Sequence, residues 1–326
     1  MSVFLVLRVA AVVACTALGV LGAATGVMAQ SYPTKPIRVI VPFAAGSGTD
    51  ILARIVTEEL RASLGWTFVV DNRAGGSGQI AAELAARATP DGHTLLLSTN
   101  TPHSANPFLF KKLNYDPVRD FSAVGRLIYY VFILVVHPNS GIRTVPELIA
   151  FVKSNPGKTS YAFGNSTGQV NGAYFVQAAR MDSLPVPYKS TPPAMTDIIG
   201  GQVHFMFVDW AASQGHVKAG RLRAIGLMSD KRSNVIPDLP PVGETVPGFD
   251  TTPWAGIFVP AGTPQAIVAR LNGEVVKCVT KPAVSQKLTE MGLEPVPSSP
   301  AELDRFVREQ LKSWGKKIRD AGIQPE

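Results

Sequence analysis

Three short glycine-containing loops hold the residues whose types and spacing could do chemistry. Ala45-Gly46-Ser47-Gly48-Thr49-Asp50 and Gly75-Gly76-Ser77-Gly78-Gln79 stand roughly thirty residues apart, each after an apolar run and each opening a helical pattern. Glycine lets a backbone turn tightly and approach a ligand, and the helix that follows offers free N–H groups and a partial positive charge. Two such loops one βα repeat apart should lie side by side at the carboxyl edge of a parallel sheet. Together they are expected to form an anion cradle. Gly76-Ser77-Gly78-Gln79-Ile80-Ala81 also fits the dinucleotide pattern G-x-G-x-x-A, but the strand-ending acid that would hold a ribose is missing. No nucleotide cofactor is expected.

The third loop, Gly164-Asn165-Ser166-Thr167-Gly168, matches the nucleophile-elbow pattern G-x-S-x-G, and Asp209 and His216 follow in the order of a triad. An acid and a base only seven residues apart, across a strand end and the next helix, are poorly spaced for triad partners. No HGGG-like oxyanion segment accompanies them. A serine esterase using Ser166 stays as an alternative. The histidines, His93, His103, His137, His204 and His216, lack metal-ligand spacing, so no metal is expected.

The elements that must position these loops alternate in type. Ile37–Phe43, Phe68–Val70 and Thr94–Ser98 are short apolar runs separated by helical patterns such as Leu52, Ile55, Val56, Leu60 and Leu64, stopped by Gly65. A second set follows Tyr129. It has a helix capped by Thr144 and Glu147, strands near Tyr161–Phe163, Val186–Tyr188 and Val203–Val208, and helices from about Gln169 and around Pro193–Ile199. Ser299-Pro300-Ala301-Glu302 opens a last helix whose buried stripe runs from Leu303 to Ile318. Two βαβ sets imply two α/β lobes with largely parallel sheets.

Composition narrows the function. After Arg8 the chain is uncharged to Thr34, and Val27-Met28-Ala29 precedes Gln30, the pattern of a secretory signal peptide cleaved after Ala29. A retained N-terminal anchor and a lipoprotein at Cys15 are the lesser readings. Removal of residues 1–29 lowers the net charge of +7 by one and leaves Cys278 alone. An internal disulfide is then impossible, and Ile267, Leu271, Val275 and Cys278 share a stripe that should bury the thiol. Lys and Arg are too dispersed for nucleic-acid binding.

Val39-Ile40-Val41-Pro42-Phe43 followed by Gly46-Ser47-Gly48-Thr49-Asp50 resembles the opening signature of the Bug-type receptors, the substrate-binding components of tripartite tricarboxylate transporters. The similarity continues through Asp71-Asn72-Arg73, Pro90-Asp91-Gly92-His93-Thr94, Tyr115-Asp116-Pro117, Val186-Pro187-Tyr188-Lys189, Gly200-Gly201-Gln202-Val203, Ala219-Gly220-Arg221-Leu222-Arg223-Ala224 and Pro260-Ala261-Gly262-Thr263-Pro264. The resemblance implies a two-lobed periplasmic binding protein (Venus-flytrap) fold. Tyr129–Val136 and Arg223–Ser229 would be its two crossing strands, residues 30–128 plus 228–326 lobe I, and residues 129–227 lobe II.

It also implies capture of a small organic carboxylate for delivery to membrane transporter subunits, or alternatively for a sensor kinase, by a monomer without catalysis. Carried over by motif, the ligand contacts are Phe43, Gly46, Ser47, Gly48, Thr49, Asp50, Asn100 and Thr101 from the first lobe. Asn165, Ser166 and Thr167 face them, which turns the apparent elbow into a clamp. Ser47 stands where a third Gly is common, and Val170 and Asn171 stand where a His-Leu or His-His pair is frequent. Asp209, at a strand end, has two open roles: a partner for an amine or hydroxyl of the ligand, or the N-cap of the following helix.

Overall fold

Why the chain builds two sheets becomes clear from the strands that disobey the parallel rule. The structure, a computed structural model, describes residues 32–249 and 251–326. The expected signal segment and its cleavage site lie outside the described residues.

The first sheet opens with β1 (Ile37–Val41), α1 (Gly48–Leu64), β2 (Phe68–Asn72), α2 (Gln79–Ala86), β3 (Thr94–Thr99), the short α3 (Asn106–Leu109) and the long β4 (Phe121–Tyr130). Parallel pairing joins β2, β1 and β3. Ile37, Ile40 and Val41 are fully buried because helices cover both faces of the sheet. Gly65 in the left-handed region closes α1 with its N–H on Arg61 O, the stop that the apolar spacing predicts.

At Val131 the chain changes sheets. β5 (Phe132–Val136) pairs antiparallel with β8 (Phe205–Asp209) and β9 (Arg223–Leu227), while β6 (Ser160–Phe163), β7 (Leu184–Pro187) and β8 pair parallel. Between them run α4 (Val145–Ser154), α5 (Ser166–Ala178), α6 (Thr191–Ile199) and α7 (Trp210–Lys218). After β9 the chain returns as β10 (Trp254–Pro260), antiparallel to both β3 and β4. It ends with α8 (Gln265–Thr280), α9 (Pro282–Glu290), β11 (Leu293–Pro295) and α10 (Pro300–Asp320). Both β5 and β10 arrive from the other sheet. A strand entering at the edge where its parallel neighbours finish must run away from that edge. The crossings therefore mark where the two sheets share an edge.

The second crossing lies later than the expected Arg223–Ser229. β9 ends at Leu227, but Leu239, Val235 and Ile236 remain in the apolar cluster of the second sheet. Phe249 still packs on Phe207, with ring centroids 5.5 Å apart, and Tyr174 Oη donates to Pro247 O at 2.7 Å. Residues 228–249 thus stay with the second sheet, and by Trp254 the chain is back in the first. The shift has a physical cause: this segment buries Met228, Leu239, Val242, Val246 and Phe249 with only a single 3-10 turn at Val242–Glu244, so no periodicity announces it.

Each sheet has its own core. Ile40, Leu96, Trp254, Phe258, Leu303 and Val307 fill the first; Ile133, Val135, Ala162, Ile198, Met206 and Val208 fill the second. A third cluster joins Leu109, Trp314 and Ile318 to Val170 of α5, so the last helix reaches across to the second sheet's helices. Ser299 and Glu302 form the full capping box expected for α10. Cys278 is buried under α1, and burial pushes its thiol up to about 12, which leaves it inert.

Candidate functional site

Four helices begin at the shared edge of the sheets. Ser47 caps α1, accepting from Asp50 N at 3.3 Å, and Asn165 caps α5, accepting from Gly168 N at 2.9 Å. Ser190 precedes α6, and Asp209 caps α7, accepting from Ala212 N at 2.8 Å. Helix geometry leaves first-turn N–H groups such as those of Gly48 and Thr49 without intrahelical acceptors. Convergence of the positive ends of four helix dipoles favours an anion at this place.

These ends enclose a narrow cleft with about 20 Å³ of free space inside it, lined by fourteen residues. Nine expected site residues line it: Phe43, Ser47, Gly48, Thr49, Asn100, Thr101, Asn165, Thr167 and Asp209. Three do not. Gly46 is exposed at the rim, and its N–H donates to Asp50 Oδ2 at 2.9 Å. Asp50 turns back into its own loop, where it also accepts from Arg54 Nε at 3.0 Å. Burial opposes ionisation there, yet the Arg54 and Gly46 hydrogen bonds win and hold its carboxyl below the ordinary range. Asp50 shapes the loop rather than lining the cleft. Ser166 is fully buried behind Thr101.

Thr99, Tyr130, Phe132, Thr191 and Pro253 complete the lining. Tyr130, Phe132 and Pro253 flank the two crossings, so their place depends on where the chain changes sheets. Thr191 had a usable signal, since Ser190-Thr191-Pro192-Pro193 after a strand is a helix start with Pro in its first turn.

Neutral hydrogen bonds tie the two walls together. Asn100 Nδ2 donates to Thr167 Oγ1 at 3.0 Å, and the hydroxyls of Thr101 and Ser166 lie 2.8 Å apart. Ala44 N donates to Ser190 Oγ at 3.1 Å. Within the floor, Thr49 Oγ1 and Tyr130 Oη are 3.0 Å apart. Burial lifts the Tyr130 phenol well above its ordinary range, so it stays a neutral hydroxyl. Among the described residues no Lys, Arg or His lines the cleft. A charged guest must therefore be held by hydroxyls, amides and backbone N–H groups.

The second glycine loop is not part of this cleft, contrary to the expected shared cradle. Gly75, Gly76, Ser77 and Gly78 all have positive φ, and they make a tight turn packed against Pro42 and Pro102. Nor does a triad assemble. Ser166 Oγ is met by Thr101 Oγ1 and Asn100 Nδ2, while His216 lies in the last turn of α7, about 10 Å along the helix from Asp209. A fully buried serine–histidine pair, Ser98 Oγ and His103 Nδ1 at 2.7 Å, sits inside the first core, with His103 stacked on Phe258. Burial pushes that imidazole down to about 3, so it is neutral and structural. Among the described residues no group of His, Cys, Asp and Glu could hold a metal ion.

Residues 52–323 match the family model described as the tripartite tricarboxylate transporter family receptor. The chain belongs to that receptor family. Solved structures agree over the described fold. The receptor is 31% identical to the periplasmic binding protein BugD over 90% of this chain and 100% of that one, with a TM-score of 0.85. It is 32% identical to Rhodopseudomonas palustris Rpa4515, solved with adipate, over 90% of this chain and 100% of that one, with a TM-score of 0.88. With MatC from Rhodopseudomonas palustris, solved with bound malate, the identity is 31% over 88% of this chain and 100% of that one, and the TM-score is 0.82. The receptor thus has the periplasmic binding protein fold of Bug-type proteins. Its family consists of periplasmic solute-binding receptors.

Proposed function

We propose that the receptor captures one small carboxylate between its two walls and hands it, covalently unchanged, to a membrane transporter. The observation that carries this reading is the cleft's chemistry: four helix N-termini and a ring of hydroxyl and amide groups, with no cationic side chain. Hydrogen bonds to a charged acceptor are worth about 1.5–3 kcal/mol each, so several neutral donors offset desolvation of a carboxylate without an Arg. The carboxylates held by Rpa4515 and MatC support the same ligand class. The two sheets act as lobes, with Val131 and residues 251–253 as the hinge. Residues 1–29 act as a cleaved export signal, so N-terminal sequencing of the exported protein begins at Gln30.

The test is a thermal shift on receptor freed of copurified ligand by unfolding and refolding. Malate, adipate and a panel of mono- and dicarboxylates are the probes. A ligand at one hundred times its Kd stabilises the native state by about 2.7 kcal/mol. No shift with any member would overturn the reading. Ser166→Ala separates the esterase alternative: carboxylate binding persists, and neither protein hydrolyses p-nitrophenyl esters above the spontaneous rate. Ester hydrolysis lost only in the variant would make Ser166 a nucleophile.

A further inference from the structure

Asp209 is an anion in a site built for anions. It is 4% exposed, it lines the cleft, and no Lys, Arg or His does so. A Cβ added to Gly48 would lie 2.2 Å from Asp209 Oδ1, so the carboxyl group is pressed directly against the opening turn of α1. Oδ1 accepts the Ala212 N–H of its own helix, so the carboxyl group is fixed in place at the cleft.

The groups around it offer no counter-charge. From β4 comes the neutral Tyr130 phenol; from β5, paired opposite at Phe132, no ionisable residue. The acid of α1, Asp50, is committed to Gly46 N and Arg54. On α7, His216 and Lys218 stand at the far end, and on α6, Asp197 is held by Tyr188 Oη. A carboxylate ligand entering this cleft would be a second unpaired anion within one low-dielectric space. Two carboxyl groups sharing such a space hold a proton between them, because both cannot ionise cheaply.

We propose that Asp209 serves the ligand site as a carboxylic acid, donating its proton to a ligand carboxylate oxygen, so that capture takes up one proton. The inference rests on the carboxylate reading of the cleft. It assigns Asp209 a specificity role: the site prefers a carboxylate at that position to an ammonium, which would meet an ionised Asp209 instead. Burial alone already raises this group to about 6, and a bound anion raises it further. Binding is favoured by the protonated form. Affinity is therefore constant below the free group's titration and falls as pH rises above it, about tenfold per pH unit for one proton.

Isothermal titration of refolded receptor with malate and with adipate, from pH 6 to 8.5, tests the idea. The expected result is an enthalpy that differs between phosphate and Tris buffers by uptake of close to one proton, and a Kd that weakens about tenfold between pH 7 and pH 8. Asp209→Asn keeps both the helix cap and a hydrogen-bond donor. It should abolish the buffer dependence and bind more tightly than the native receptor at pH 8. Asp209→Ser, another good cap, checks that a loss of slope is not a loss of fold. Binding of either acid with a buffer-independent enthalpy and a flat Kd overturns the proposal while leaving carboxylate capture intact. So does tighter binding of aspartate than of malate that Asp209→Asn removes. Failure of the whole carboxylate panel at pH 6 overturns the reading of the cleft itself.

Discussion

Two glycine loops of nearly identical composition serve opposite ends. In Gly46-Ser47-Gly48, only Gly46 needs positive φ; Ser47 is extended and caps a seventeen-residue helix, and Gly48 is small because Asp209 of the other wall lies against it. In Gly75-Gly76-Ser77-Gly78, all four residues have positive φ and the following helix has no side-chain cap. The first loop uses glycine for approach, the second for conformation. Both satisfy the same sequence pattern. Whether such a loop binds anything depends on whether another part of the chain comes up to it.

The same substitution in the two loops should break the comparison if it is wrong. Gly48→Ala places a methyl 2.2 Å from Asp209 Oδ1, so either the buried Asp209 carboxyl leaves its cap on Ala212 N or the walls part. Carboxylate affinity should fall at least ~100-fold, corresponding to roughly 3 kcal/mol. Gly76→Ala has room, with Gln79 Cβ at 3.5 Å, but must hold φ at +54. It should lower stability by about 1–2 kcal/mol and leave Kd unchanged. Equal effects on Kd, measured by titration on both variants, would mean that the second loop shares the site after all.

Asp209 sharpens the comparison from the other wall, and its effect on stability comes next in size. Its folded value is raised to about 6 from 3.8 by burial. A raised folded value stabilises the protein fully below the unfolded value and loses that contribution as pH climbs through the folded one. Asp209→Asn should therefore be more stable than the native receptor at pH 8, by about 3 kcal/mol, with most of the difference gone by pH 4. Urea unfolding at the two pH values checks the sign. A variant that is less stable at pH 8 would show that Asp209 is paired rather than merely buried.

Much of the fold was legible because helix ends write themselves into side chains. Thr144, Ser299 with Glu302, and Gly65 each stand within a residue of where the chain starts or stops a helix. The crossings were less legible. Val131 sits inside an unbroken apolar run, so nothing in hydropathy says that Tyr130 belongs to one sheet and Phe132 to the other. Residues 228–249 bury apolar anchors without a period. The site divides the same way. Hydroxyl and amide residues at helix starts could be read locally, whereas Tyr130, Phe132 and Pro253 line the cleft only because two crossings converge there.

The smallest expected effects test the loops at their serines. Ser47 occupies an extended N-cap and lines the cleft, so Ser47→Ala removes a cap worth about 1 kcal/mol and also weakens carboxylate binding. Ser77 has φ of 50, a conformation that L residues adopt at a penalty, and its carbonyl is pinned by Asn106 Nδ2 at 3.0 Å. Ser77→Gly should relieve that strain and stabilise the protein by about 0.5–1 kcal/mol, with Kd unaltered. Opposite signs at two serines in look-alike loops are the signature of approach against conformation. Thermal unfolding that moved both variants in the same direction would mean that the two loops are set by one constraint, and the distinction between them would fall.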